Sequence, residues 1–107
     1  MIVELREYLL HHGSVPEYFR LYEEEGLAIQ RQILGNLVGY YHTEVGAQNQ
    51  VVHLWAYADH GDRERRRAQM AADARWQAYV VKIRPLILSQ QTRIMRPAPF
   101  MNVEVTP

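Results

Sequence analysis

From Asn49 to Arg67 the chain reads NQVVHLWAYADHGDRERRR, in which Val52, Leu54, Ala56 and Ala58 alternate with His53, Trp55 and Tyr57 before an arginine-rich run begins. A strand sends successive side chains to opposite faces, so this spacing predicts a strand with one aliphatic face and one face of aromatic and polar groups. Ile2 to Leu10 follows the same period, with Val3, Leu5 and Leu9 on one side and Glu4, Arg6 and Tyr8 on the other; Glu7 is the polar residue that interrupts the aliphatic side. The His11-His12-Gly13 turn closes that strand.

The period then lengthens. Ser14, with Glu17 three residues on and Pro16 in the first turn, forms a helix-start signal. Val15, Phe19, Tyr22, Ile29 and Ile33 make a helical stripe as far as about Leu34. Gly26 is a weak point within it and Gly35 the expected stop. Asn36 to Ala58 returns to period two around Gly46-Ala47-Gln48-Asn49, a hairpin. A symmetric turn sets His42 opposite His53 and Tyr40 opposite Trp55. It gathers Tyr40, His42, His53, Trp55 and Tyr57 on one face and Leu37, Tyr41, Val52, Leu54 and Ala56 on the other.

Asp59 to Asp62 supplies capping groups for a helix over Arg63 to Ala72, with Met70 as its main apolar contact. Asp73 caps a second helix with a stripe of Trp76, Tyr79, Val80 and Ile83, which Pro85 ends. In Leu86 to Met95, Leu86, Leu88 and Ile94 alternate with Ser89, Gln91 and Arg93. Residues 1–96 therefore form one domain, and 97–107, with three prolines and no periodicity, an extended arm.

The order strand, helix, strand, strand, helix pair, strand is the split βαβ arrangement: an α+β, ferredoxin-like βαββααβ fold with a four-stranded antiparallel sheet and helices on one face. The aliphatic side of the sheet is expected under the helices. The opposite face then carries Tyr8, Tyr40, Trp55 and Tyr57, too much aromatic surface to leave in water, so a homodimer with two sheets facing each other as a dimeric α+β barrel is expected.

Composition narrows the chemistry. A chain of 107 residues holds one core. Twelve acidic and twelve basic residues give no global field toward nucleic acid or an anionic membrane, and the absence of cysteine excludes disulfides and thiolate chemistry. Charges at Glu4 and Arg6 break the first apolar run, so neither a signal peptide nor a membrane span is expected, and a cytoplasmic location follows as the default.

Ile2-Val3-Glu4-Leu5-Arg6-Glu7-Tyr8, His53-Leu54-Trp55-Ala56-Tyr57, Asp62-Arg63-Glu64-Arg65-Arg66-Arg67 and Trp76-Gln77-Ala78-Tyr79 together resemble the NIPSNAP family over Met1 to about Phe100. The resemblance implies the dimeric α+β barrel group, which also holds cofactor-independent monooxygenases and some haem-binding enzymes. It supplies no catalytic residue.

The candidate pocket face comprises Arg6, Tyr8, Tyr40, His42, His53, Trp55, Tyr57, Gln91 and Arg93. Two readings stand open: these side chains fill a dimer interface, or they line a small-molecule site between subunits. Under the second, no nucleophile-base-orienter set is recognised, so a domain that binds a small molecule or partner leads. The alternative is a cofactor-independent monooxygenase-like enzyme with His53 as base and Tyr8, Tyr57 or Arg93 stabilising an oxyanion. A further alternative is haem on one histidine, or a metal on both with Glu44; no resident metal or cofactor is otherwise expected. Arg63 to Arg67 reads as a solvated face paired with Glu23, Glu24, Glu25, Asp59, Asp62 and Glu64. A phosphate patch is the weaker reading, and without interleaved aromatics nucleic acid is not an expected partner.

Overall fold

The computed structural model describes residues 1–105. Of the arm expected over 97–107, Thr106 and Pro107 lie outside the described residues. Four strands, β1 (Ile2–Leu10), β2 (Asn36–His42), β3 (Gln50–Tyr57) and β4 (Ile87–Met95), form one antiparallel sheet in the order β2-β3-β1-β4. Helices α1 (Val15–Leu21), α2 (Leu27–Leu34), α3 (His60–Ala72) and α4 (Ala74–Ile83) complete the α+β, ferredoxin-like arrangement that the change of periods predicts. No helix among the described residues is long and apolar enough to cross a membrane.

The helix expected from Val15 to Leu34 is interrupted by a π-helical turn, Tyr22–Gly26. Gly26 sits where Tyr79 of α4 crosses: a Cβ there would stand 2.7 Å from Tyr79 Cζ, so only a residue without one lets the helices approach. Ser14 accepts from the Tyr18 amide through its backbone oxygen at 2.9 Å, and its side chain makes no cap, unlike the expected capping box. Gly35 ends α2 with φ 88°, and the Arg66 guanidinium reaches over it to donate to the carbonyls of Ile33 and Leu34. Asp59 caps α3 through the Asp62 amide, and Asp73 caps α4 through those of Arg75 and Trp76; α3 starts at His60, three residues before the expected position.

Two features of the sheet depart from the expected pattern. In the hairpin, Tyr40 pairs with His53 and His42 with Val51, two residues away from the symmetric register. An even slip leaves each side chain on its face. A bulge between Leu37 and Gly39 then places Leu37 opposite Trp55, so Leu37 joins the aromatic side instead of the side of Tyr41 and Val52. Glycine within a strand weakens regular pairing, and the bulge falls beside Gly39.

The second departure is larger. The expectation that Val52, Leu54 and Ala56 lie under the helices, with His53, Trp55 and Tyr57 on the helix-free face, is reversed. Tyr8, Leu10 and Val51 pack with Tyr18, Leu21, Tyr22, Tyr79 and Ile83 of the helical layer, while Ile2, Trp55 and Tyr57 pack with Ile33, Leu34 and Met70. Burying Tyr8, Trp55 and Tyr57 removes more apolar surface from water than burying Val52, Leu54 and Ala56 would. The helix-free face carries Val3, Leu5, Leu9, Tyr41, Val52 and Leu54, crossed by Glu7 and Arg93 at 3.6 Å.

Candidate functional site

Because the aromatic face is turned inward, it meets the arginines of α3. Glu4 on β1 is completely buried, and its carboxylate lies among three guanidiniums. Arg63 donates to Glu4 Oε2 through Nη2 at 2.6 Å and Nε at 3.1 Å. Arg6 Nη1 stands 3.5 Å from the same oxygen, Arg67 Nη1 3.5 Å from Oε1, and Tyr57 donates its hydroxyl to Oε1 at 3.5 Å. Arg63 and Arg67 are four residues apart, so they project from one side of α3 onto the sheet. Three cations against one carboxylate leave a local excess of two positive charges.

Beside this cluster lies a cleft of about 440 Å³ between the sheet and the helices. Arg6, Tyr8, Gln30 and Arg67 line one part of it; Met70, Trp76, Val80, Ile83, Ile87 and Leu88 supply an apolar wall; Arg84, Ser89 and Gln90 complete the lining. Arg6 is held in place by donating Nε to the Tyr8 hydroxyl at 2.9 Å. Gln30 accepts from the Tyr22 hydroxyl at 2.5 Å.

His53 is cross-paired with Arg6 and buried between rings: Tyr40 stacks on it at 4.5 Å and Tyr8 meets it edge-on at 5.0 Å. Its Nδ1 accepts from the Trp55 indole at 2.7 Å, so in the neutral ring the proton sits on Nε2, which is buried without a hydrogen-bond partner. Burial, reinforced by the nearby positive charges of Arg6 and Arg67, pushes the imidazole pKa down to about 3. The ring is therefore neutral near pH 7, with its one free lone pair already engaged. That arrangement fits a side chain that holds Trp55 in place better than a base. Burial raises the Tyr57 hydroxyl to about 12, with the Glu4 carboxylate reinforcing it.

The nine pocket-face residues predicted from sequence do not stay together. Arg6, Tyr8, Tyr40, His53, Trp55 and Tyr57 share the helix-facing side, whereas Gln91 pairs with Glu7 and Arg93 with Leu5 on the open face. The cause is that β4's phase is fixed by its pairing with β1, which sets Thr92 opposite Arg6. His42 packs on Phe19 at 5.5 Å and is not opposite His53, so the two histidines do not form a cross-strand pair. Only Arg6 and Tyr8 of the nine line the cleft.

Glu4, Gln30, Trp76 and Arg84 were not among the residues that sequence reasoning assigned to a site, and Arg67 entered only through the weaker reading of Arg63 to Arg67 as a phosphate patch. One signal for Glu4 and the arginines was present: a carboxylate alternating onto the aromatic face, and guanidiniums at i and i+4 on the following helix. Of the expected ion pairs Arg66 with Asp62 forms at 2.8 Å, but the run is not a solvated face: that pair is largely buried, Arg63 and Arg67 turn onto Glu4, and Glu24 pairs with Arg20 and Glu25 with Lys82.

Comparison with known proteins places this geometry in context. A family model described as NIPSNAP matches residues 3–102. The chain is 35% identical over 97 residues to human Protein NipSnap homolog 2, covering 90% of this chain and 33% of that protein. Zebrafish Protein NipSnap homolog 1 is 36% identical, with 90% and 34% covered; the chain thus spans about a third of the length of these relatives. Among solved structures, a NIPSNAP-like domain protein from Burkholderia xenovorans is 48% identical with a TM-score of 0.93, covering 95% of this chain and 89% of that one. A NIPSNAP family protein from Agrobacterium tumefaciens is 46% identical with a TM-score of 0.92, covering 96% and 98%. An antibiotic biosynthesis monooxygenase shares the fold alone, at 13% identity and a TM-score of 0.65 over 92% of this chain and all of that one.

Proposed function

The chain belongs to the NIPSNAP family, and from that premise we propose that this domain binds a small organic molecule in the cleft between its helices and its sheet. The observation that carries the proposal is the composition of that cleft: an apolar wall from Met70, Trp76, Val80, Ile83 and Ile87, with Arg6, Gln30 and Arg67 converging as its polar groups. A concave, mostly apolar site with a few placed polar groups is the usual form of a small-molecule site, and about 440 Å³ falls within its usual size range. Binding fits better than acid-base catalysis because His53 is enclosed, neutral and tied to Trp55.

Nile red, an uncharged dye, provides the test. Its emission is expected to shift blue on adding the protein. Val80→Trp, which fills the cleft from α4, is expected to abolish the shift while the far-ultraviolet circular dichroism stays the same. An undiminished shift in that folded variant would place the dye elsewhere and remove the proposal.

A second reading rests on the open sheet face. Leu5, Leu9, Val52 and Leu54 form an aliphatic surface whose crossing charges, Glu7 and Arg93, already pair with each other. Such a surface suits a second copy of the chain in a two-fold contact, since neither charge repels its own image unpaired. Light scattering after gel filtration is expected to give twice the chain mass for the native protein and the single-chain mass for Leu54→Glu. A native protein that runs as a single chain at tens of micromolar sinks this reading.

A further inference from the structure

The cleft contains charge as well as apolar surface, and that charge is distributed unevenly. Arg63, which does not line the cleft, holds Glu4 closely through two donors. Arg6 and Arg67, which do line it, approach Glu4 no nearer than 3.5 Å. Arg67 Nη1 is buried with no hydrogen-bond partner. Arg63 thus satisfies Oε2, Oε1 is met only by the 3.5 Å approaches of Tyr57 and Arg67, and of the three cations around one carboxylate the two that face the cleft are Arg6 and Arg67. Gln30 has its carbonyl oxygen engaged by Tyr22, so what it offers the cleft is its amide donor.

A buried guanidinium with an unused donor is unfavourable unless something accepts from it, and guanidinium forks match the oxygens of carboxylates and phosphates. Building on the reading that this cleft binds a small molecule, we infer that its ligand is an amphiphile with an oxyanion head, held by Arg6 and Arg67, and an apolar body laid along Trp76, Val80, Ile83 and Ile87. A carboxylate and a phosphate monoester share this head-group chemistry. An uncharged or cationic head leaves Arg67 Nη1 with nothing closer than its 3.5 Å approach to Glu4 Oε1.

Isothermal titration at low salt with octanoate, octyl phosphate, 1-octanol and octylammonium tests this. At least one of the two anions is expected to bind roughly tenfold or more tightly than 1-octanol, with octylammonium weakest. The stronger of the two anions identifies the head group. Arg67→Gln is expected to remove that preference, so that the anions bind this variant no more tightly than 1-octanol binds the same variant. Should Arg67→Gln fail to fold, Arg67→Lys, which keeps the charge but not the fork, is expected to reduce the preference in part. Equal binding of 1-octanol and both anions overturns the inference and leaves the cleft reading standing. If none of the four binds and Nile red emission does not move, the cleft reading fails as well.

Discussion

Replacing Glu4 with leucine is expected to lower the unfolding free energy by about 3–5 kcal/mol, the range seen when one partner of a buried ionic group is removed. The loss comes less from the missing hydrogen bonds than from what stays behind: Arg6, Arg63 and Arg67 around a site with no carboxylate. Tyr57 would also lose its acceptor. The two contributions separate in a combined variant in which Glu4 becomes leucine and all three arginines become methionine. If uncompensated charge dominates, this variant recovers most of the stability, because hydrophobic replacement of a whole buried ionic cluster is often neutral or better. Urea unfolding of the native protein and both variants measures the difference. A deficit under about 1 kcal/mol for Glu4→Leu would show that the cluster is far more hydrated than its burial implies.

Acidification is expected to destabilise the protein through His53 specifically. In the unfolded chain this imidazole takes up a proton near its ordinary pKa of about 6.5, whereas in the folded protein it resists until about pH 3. Between those values the unfolded chain binds more protons, so stability falls as pH falls, and the loss is complete only below the folded value. By pH 5 it amounts to about 2 kcal/mol, and over the whole window to something on the order of 4–5 kcal/mol. His53→Gln, whose carbonyl offers Trp55 an acceptor, is expected to lower stability at pH 7.5 but to flatten the profile between pH 7.5 and 5. Urea unfolding at those two pH values gives the comparison. Equal pH slopes in native protein and variant would mean that His53 is not the titrating group.

The order of elements was legible because the hydrophobic period changes cleanly at Ser14, Gly35 and Asp59, and because Gly35, Asp59 and Asp73 terminate or cap by local chemistry that needs no tertiary information. The choice of sheet face was not legible. Val52 and Leu54 are as apolar as a core requires, and His53 with Glu4 looks too polar for one; only the approach of Arg63 and Arg67 from α3 makes burial of Glu4 tolerable. That is a contact between residues about sixty positions apart, beyond the reach of any periodicity. The partition of β4 failed for a related reason: its alternation says that Gln91 and Arg93 share a side, while which side depends on pairing with β1. Tyr40 and His42 stay on the face of His53, Trp55 and Tyr57 because the hairpin slip is even. The cleft itself escaped because Gln30, Arg67 and Trp76 come from three separate helices that converge only in the fold.

The π-helical turn between α1 and α2 has a bearing on how this chain tolerates changes in length. A π turn spends more residues per revolution than an α turn, so it shifts the angular phase of everything after it. Here the shift lets Tyr18, Leu21 and Tyr22 join one cluster while Ile33 and Leu34 join the other. Rewinding Tyr22–Gly26 as plain α-helix at unchanged length would rotate the second half by about 100° relative to the first, the turn of one α-helical residue. Ile33 and Leu34 would then swing off Trp55, and Arg66 would lose the carbonyls it caps. Residues 43–49 face no such demand, since a loop can absorb an insertion without turning anything that follows. Between α1 and α2 the phase of the chain is thus as constrained as its composition: deleting one residue while the turn rewinds as α-helix keeps that phase, whereas one added residue should be as damaging as the loss of a core side chain.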